Sequence, residues 1–232
     1  MTERQQGPLS NADNAAQIFF TQSARRDLRD RPRAMVAKDD GDWQPVTWGV
    51  LASRVERLAA FLVQSGLASG EKAAVFANTR LEWGLAGLAA LASRGVLVPV
   101  YPTLVGEPLV HILAHSDARV LFVEPEDQLR RVLGIWGRLG IQTLIGFESM
   151  DAARLAEEAG LEGAEIAGRC FTLAQAEKLG AEALRSAPEL VSRRLDAIRL
   201  DEPGYLIYTS GTTGMPKGVL LSHRNVAVNA GD

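Results

Sequence analysis

The sequence predicts an α/β fold, a mostly parallel sheet flanked by helices. Short apolar strand-like runs alternate along the chain with segments whose apolar residues recur at helical spacing. Strand-like runs such as Ala73 to Ala77 are apolar throughout, the pattern of a strand covered by helices on both faces. With 232 residues at 47% hydrophobic content, there is enough apolar material for a packed core.

Residues 1–13 are expected to be a tail, and residues 14–232 one α/β unit. Ala34 to Lys38 and Trp43 to Trp48 read as a leading hairpin, because Asp39-Asp40-Gly41-Asp42 supplies the positive-φ turn between them. Thr47 is placed to cap a helix carrying Leu51, Val55, Leu58 and Leu62 on one face, with Arg54 and Arg57 off that line and Gly66 near its end. After the strand Ala73 to Ala77, Thr79-Arg80-Leu81-Glu82 has capping-box spacing for a helix closed by Gly95. Val96 to Tyr101 is the next strand, stopped by Pro102. A helix from Gly106 to Ser116, a strand from Arg119 to Val123, a helix from Glu126 to Leu139 and a strand from Thr143 to Phe147 continue the alternation. From Ser149 to Leu200 the pattern is looser but helical, with a second capping box at Thr172 and Gln175 and a restart at Pro188.

Bulk properties exclude several classes. A formal net charge of -3 offers no global attraction for nucleic acid, so any phosphate must be held locally. Cys170 is the only cysteine, which excludes an internal disulfide framework and favours a buried, inert thiol in a reducing compartment. Met1 to Asn14 lacks the apolar core of a secretory signal, so the expected location is cytoplasmic. Arg94 interrupts the most apolar stretch, Trp83 to Val105, and leaves neither half long enough to cross a bilayer.

Gly204 to Tyr208 reads as a strand, Ser210 to Gly218 as a loop rich in glycine and hydroxyls, and Val219 to Leu221 as a second strand. Such a loop suits a polyphosphate. Glycines let backbone N–H groups approach the oxygens, and the hydroxyls of Thr209, Ser210, Thr212 and Thr213 add donors. Lys217 is the only charged side chain between Glu202 and Arg224, so it places one mobile cation beside neutral donors. The segment does not fit Gly-x-x-x-x-Gly-Lys-Ser/Thr spacing. A bare Ser-Gly-Thr-Thr-Gly is equally compatible with a solvated turn.

The longer string Tyr208-Thr209-Ser210-Gly211-Thr212-Thr213-Gly214-Met215-Pro216-Lys217-Gly218 resembles the phosphate-loop signature of the adenylate-forming superfamily: acyl-CoA synthetases, peptide-synthetase adenylation domains and luciferases. Val46-Thr47-Trp48, Val98 to Thr103 and Ser116 to Leu121 extend the resemblance, which covers about residues 14 to 232 and is greatest to long-chain fatty acid–CoA ligases. The resemblance implies that residues 14–232 are the N-terminal portion of an AMP-binding domain, truncated after the loop. It further implies an enzyme in which a fatty carboxylate attacks ATP to give acyl-AMP, after which CoA attacks as a thiol. Thr209, Ser210, Gly211, Thr212, Thr213, Gly214 and Lys217 would then hold the β- and γ-phosphates, with no catalytic residue in the fragment. The acidic Mg2+ ligand, the adenine- and ribose-binding residues and a catalytic lysine are expected beyond Asp232, so the fragment alone would complete neither half-reaction. Expected partners are ATP, a fatty acid and CoA, without nucleic acid. Peripheral membrane attachment stays open, as do activation of an aryl, short-chain or amino acid and a non-catalytic nucleotide- or partner-binding module.

His111 and His115, four apart on one helix, either bridge a metal with a further ligand or lie on an ordinary helix surface, which is favoured. His223 either points toward the nucleotide or has a structural role, capping the helix begun at Asn225, which is favoured. Trp83, Leu85 and Leu88 read as core, and Arg130-Arg131 and Arg193-Arg194 as solvated faces.

Overall fold

The computed structural model describes residues 14–37, 42–124, 126–209 and 214–231. Helix α1 (Ala15–Ala24) starts at a capping box, in which Asn14 accepts from the amides of Ala16 and Gln17 while the Gln17 side chain accepts from the Asn14 amide. Strands β1 (Pro32–Ala37) and β2 (Trp43–Thr47) form the expected antiparallel hairpin as a separate sheet. Of its turn, Asp39, Asp40 and Gly41 lie outside the described residues. Helix α2 (Trp48–Gln64) begins where the Thr47 hydroxyl accepts from the Val50 amide at 3.3 Å, and it buries Leu51, Val55, Leu58 and Leu62.

The remaining strands are β3 (Lys72–Phe76), β4 (Val96–Val100), β5 (Ala118–Val123), β6 (Thr143–Gly146), β7 (Cys170–Thr172), β8 (Pro203–Thr209) and β9 (Lys217–Ser222). Between them run α3 (Leu81–Ala92), α4 (Gly106–His115), α5 (Glu126–Leu133), α6 (Ala152–Glu158), α7 (Gly163–Ala167), α8 (Leu173–Ser186) and α9 (Leu190–Asp196), and α10 (His223–Gly231) follows. The main sheet has the order β7-β6-β5-β3-β4-β8-β9, with every pairing parallel except β8–β9.

Alternation along each strand sends side chains to two separate cores. Ala73, Val75, Val120 and Phe122 pack beneath α2, α3 and α8, whereas Ala74, Phe76, Val98 and Leu121 pack beneath α4, α5 and α6. Burying one leucine fully stabilises by ~1.5–3 kcal/mol, and an exposed ion pair such as Arg193–Glu189 by ~0–1 kcal/mol. Apolar burial therefore holds the layers together. Trp83, Leu85 and Leu88 belong to the first core, as expected. Among the described residues, no helix is long and apolar enough to cross a membrane.

Four expectations are corrected. Thr79 and Glu82 form no capping box: α3 starts one residue later than that pattern requires, and the Glu82 carboxylate instead accepts from Arg80 Nε at 2.6 Å. The close of α3 is a Schellman turn in which Arg94, not Gly95, takes the positive φ of 63°; Gly95 donates to Ala90 O at 2.9 Å, and a Cβ there would sit 3.0 Å from that oxygen. The helix expected to reach Leu139 ends at Leu133 and is followed by a 3₁₀ turn at Trp136–Arg138, because Gly134 and Gly137 weaken its continuation. Finally, the stretch read as helical throughout contains β7, a three-residue strand added beside β6. The Thr172–Gln175 capping box does form.

Candidate functional site

The sequence-predicted loop stands at the mouth of the β8–β9 hairpin. Register pairs Tyr208 with Gly218 and Thr209 with Lys217, and β8 lies parallel to β4 with Leu97 opposite Tyr205. The mouth is thus at the carboxyl ends of the parallel strands, where open α/β sheets characteristically bind ligands. Of the predicted residues, Thr209, Gly214 and Lys217 are described and exposed, whereas Ser210, Gly211, Thr212 and Thr213 lie outside the described residues. Gly214 takes a φ of 137°, a conformation that an L side chain resists.

Cross-strand partners share a face. Thr209 and Lys217 therefore stand on one side of the hairpin, and Tyr208 and Gly218 on the other. Tyr208 is buried in the second core, and a Cβ at Gly218 would meet its ring at 3.4 Å and Leu206 at 3.0 Å. Among the described residues, no carboxylate lies within ion-pair distance of Lys217. Its ammonium is held by no partner there and can meet an anion.

The back of the hairpin is held by α4, which the sequence did not foretell. His111 Nε2 is 2.9 Å from the Pro216 carbonyl oxygen, and His115 Nδ1 is 2.7 Å from Tyr208 Oη. The two imidazoles stack at 5.2 Å, and both meet the Tyr208 ring edge-on. As expected the pair lies at the helix surface, His115 exposed and His111 half-buried, but it also joins α4 to Tyr208 of β8 and to Pro216 just before β9. Among the described residues, no group of three or more metal-ligating side chains occurs.

His223 takes the favoured structural role, though not as a helix cap. Its ring is buried against Gly204, where an added Cβ would lie 2.9 Å from Cε1, at the base of the hairpin and not at its mouth. Burial pushes its pKa below 6.5, against the opposing charge of Glu202. The start of α10 is capped by Ser222, whose hydroxyl accepts from the Asn225 amide at 3.3 Å. Among the other basic residues, Arg130 and Arg193 pair with acids at the surface as expected, while Arg131 is half-buried and donates to Pro102 O at 2.9 Å. Burial pushes the Cys170 thiol up to about 11, consistent with an inert cysteine.

A second polar cluster ties the carboxyl ends of β3, β5 and β6. Glu124 accepts from the Asn78 amide at 2.6 Å, from Asn78 Nδ2 at 2.7 Å and from Arg80 at 3.1 Å; Arg80 also binds Glu82 and Glu148. The adjoining pocket, about 230 Å³ and lined by Asn78, Thr103, Glu124, Asp127 and Arg131, is small for a nucleotide. Burial raises the Glu124 carboxyl pKa, but the Asn78 and Arg80 donors outweigh it and hold the group below its ordinary 4.5. A depressed carboxylate contributes stability above its unfolded pKa and loses it as pH falls through the folded one. Stability is expected to drop as pH falls below about 4.5, and Glu124→Gln should flatten that acid limb; urea midpoints measured across roughly pH 3 to 6 check this. An unchanged slope in the variant would refute it.

Three comparisons bear on this site. The family described as AMP-binding enzyme matches residues 20–232. A long-chain-fatty-acid–CoA ligase of Mycobacterium tuberculosis is 32% identical over 217 residues, covering 92% of this chain and 32% of the relative. Fatty acyl-CoA synthetase A of Dictyostelium discoideum is 30% identical over 186 residues, covering 80% and 26%. The chain thus spans about a quarter to a third of the length of these curated relatives. Among solved structures, the adenylation and carrier didomain of carboxylic acid reductase from Segniliparus rugosus, in complex with AMP, superposes with a TM-score of 0.71 at 22% identity, covering 96% of this chain and 33% of that one. Acetoacetyl-CoA synthetase from Streptomyces lividans gives 0.69 at 20% identity, covering 94% and 31%. These likenesses establish the fold.

Proposed function

Because the chain belongs to the AMP-binding enzyme family, we propose that it forms the phosphate-gripping, N-terminal part of the AMP-binding domain in an ATP-dependent fatty acyl-CoA synthetase. One observation carries this reading: β8 ends at Thr209 and β9 begins at Lys217 at the carboxyl ends of the parallel strands, with the lysine exposed and a glycine- and hydroxyl-rich sequence between them.

In the proposed reaction a fatty carboxylate oxygen attacks the α-phosphorus of ATP and displaces pyrophosphate. The thiol of CoA then attacks the acyl carbon, giving the thioester and AMP. Thr209, Ser210, Gly211, Thr212, Thr213, Gly214 and Lys217 would hold the β- and γ-phosphates, orienting the leaving pyrophosphate and stabilising its charge. The hydroxyls act as donors, not nucleophiles. Mg2+ accompanying the triphosphate would take its acidic ligand from outside these residues, since the described part of the hairpin mouth offers hydroxyl, amide and ammonium groups. A cytoplasmic location fits ATP and CoA as substrates. The fatty-acid assignment is supported by the two curated relatives.

The test is ATP–pyrophosphate exchange by the protein extended to the length of those relatives, with fatty, aryl and amino acids offered separately. Exchange that depends on a fatty acid is expected. Exchange with only another acid would move the substrate class, and no exchange with any acid would defeat the proposal.

A further inference from the structure

We propose that His111 and His115 are positioning residues that pin both arms of the β8–β9 hairpin from behind and so fix the mouth of the phosphate-binding loop. This rests on the reading of that hairpin as a triphosphate site.

Both anchor points flank the loop closely. Tyr208 lies two residues before Ser210, and Pro216 immediately before Lys217. A carbonyl oxygen only accepts, so His111 must carry its proton on Nε2 to bond Pro216. Pro216 itself has no N–H to give to the strand ladder, and the imidazole supplies the polar tether at that position. On the other arm, burial raises the Tyr208 phenol pKa, so the hydroxyl stays protonated and can donate to His115 Nδ1.

Geometry separates holding from binding. The histidines meet the hairpin on the Tyr208–Gly218 side, while Thr209 and Lys217 occupy the other. Helix α4 is itself fixed by Leu109, Ile112 and Leu113 in the second core, which places the two imidazoles on a rigid element. Ordering a loop costs conformational entropy on binding, and tethering its ends beforehand removes part of that cost.

The experiment uses the 232-residue chain and three variants. His111→Phe keeps a ring but deletes the donor, His111→Gln restores an N–H donor, and Tyr208→Phe removes only the hydroxyl. Amide exchange at Thr209, Lys217 and Gly218 is measured alongside titration with tripolyphosphate and with Mg·ATP. His111→Phe is expected to speed hairpin exchange about ten-fold and to weaken tripolyphosphate binding about five- to ten-fold, the scale of one hydrogen bond. His111→Gln should recover most of both. Unchanged exchange in His111→Phe, or equal damage from Phe and Gln, would overturn the proposal. If His111→Phe fails to fold, Tyr208→Phe decides through the His115 arm, where unchanged exchange again overturns it. Should the unsubstituted chain bind neither probe, the triphosphate reading falls instead, and the exchange comparison still decides the anchoring.

Discussion

Replacing Gly180 by alanine is expected to destabilise the protein by about 3 kcal/mol. Gly180 faces α2 from α8 so closely that an added Cβ would lie 1.7 Å from the Arg57 carbonyl oxygen and 2.6 Å from its carbon. Both atoms are backbone, so no side-chain rotation relieves the clash and the two helices must separate. Separation would also pull Arg54 from Glu177, now 2.8 Å apart. Helix propensity works in the opposite direction, since alanine is favoured over glycine in a helix by ~1 kcal/mol, and the collision outweighs it. Gly84 in α3 is the control: a Cβ there meets nothing within 4 Å, so Gly84→Ala should be neutral or mildly stabilising. Denaturant midpoints for both variants provide the check, and a Gly180→Ala protein as stable as the parent would contradict the packing described.

Lys217→Ala is expected to slow adenylate formation by roughly 100-fold in the protein extended to its relatives' length, while leaving the fold intact. The side chain is exposed, and no described carboxylate pairs with it, so its removal should change stability by less than about 0.5 kcal/mol. What disappears is, among the described residues, the one cation on the Thr209 face of the hairpin. Lys217→Arg keeps the charge and should retain more activity than alanine. Steady-state exchange kinetics with a matched thermal melt separate these effects, and a variant with parental kinetics would remove Lys217 from the site.

Elements that meet their neighbours through continuous apolar faces were legible in the sequence. Strands β3 to β6 and helices α2 to α4 announce themselves by runs such as Val96 to Val100 and by the spacing of Leu51, Val55, Leu58 and Leu62. Helix α1 carries a signal of another kind, a capping box at Asn14 and Gln17 with the spacing of Thr172 and Gln175. What the sequence hid depends on distant partners. The capping box at Thr79 fails because Arg80 is drawn into carboxylates 44 and 68 residues away as well as Glu82. The histidine pair looked like a helix surface because its partners lie 105 and 93 residues downstream. The phosphate-loop string was readable as a local motif, whereas the device behind it exists only in the folded chain.

The central claim, that the hairpin mouth receives the triphosphate of ATP, is tested most directly by NMR titration of the isotopically labelled chain with Mg·ATP, tripolyphosphate and AMP in turn. The expected result is that ATP and tripolyphosphate shift the amides of Thr209, Gly214 and Lys217 most, and that AMP, lacking the outer phosphates, shifts them little. Equal shifts from AMP, or the largest shifts arising elsewhere in the sheet, would contradict it.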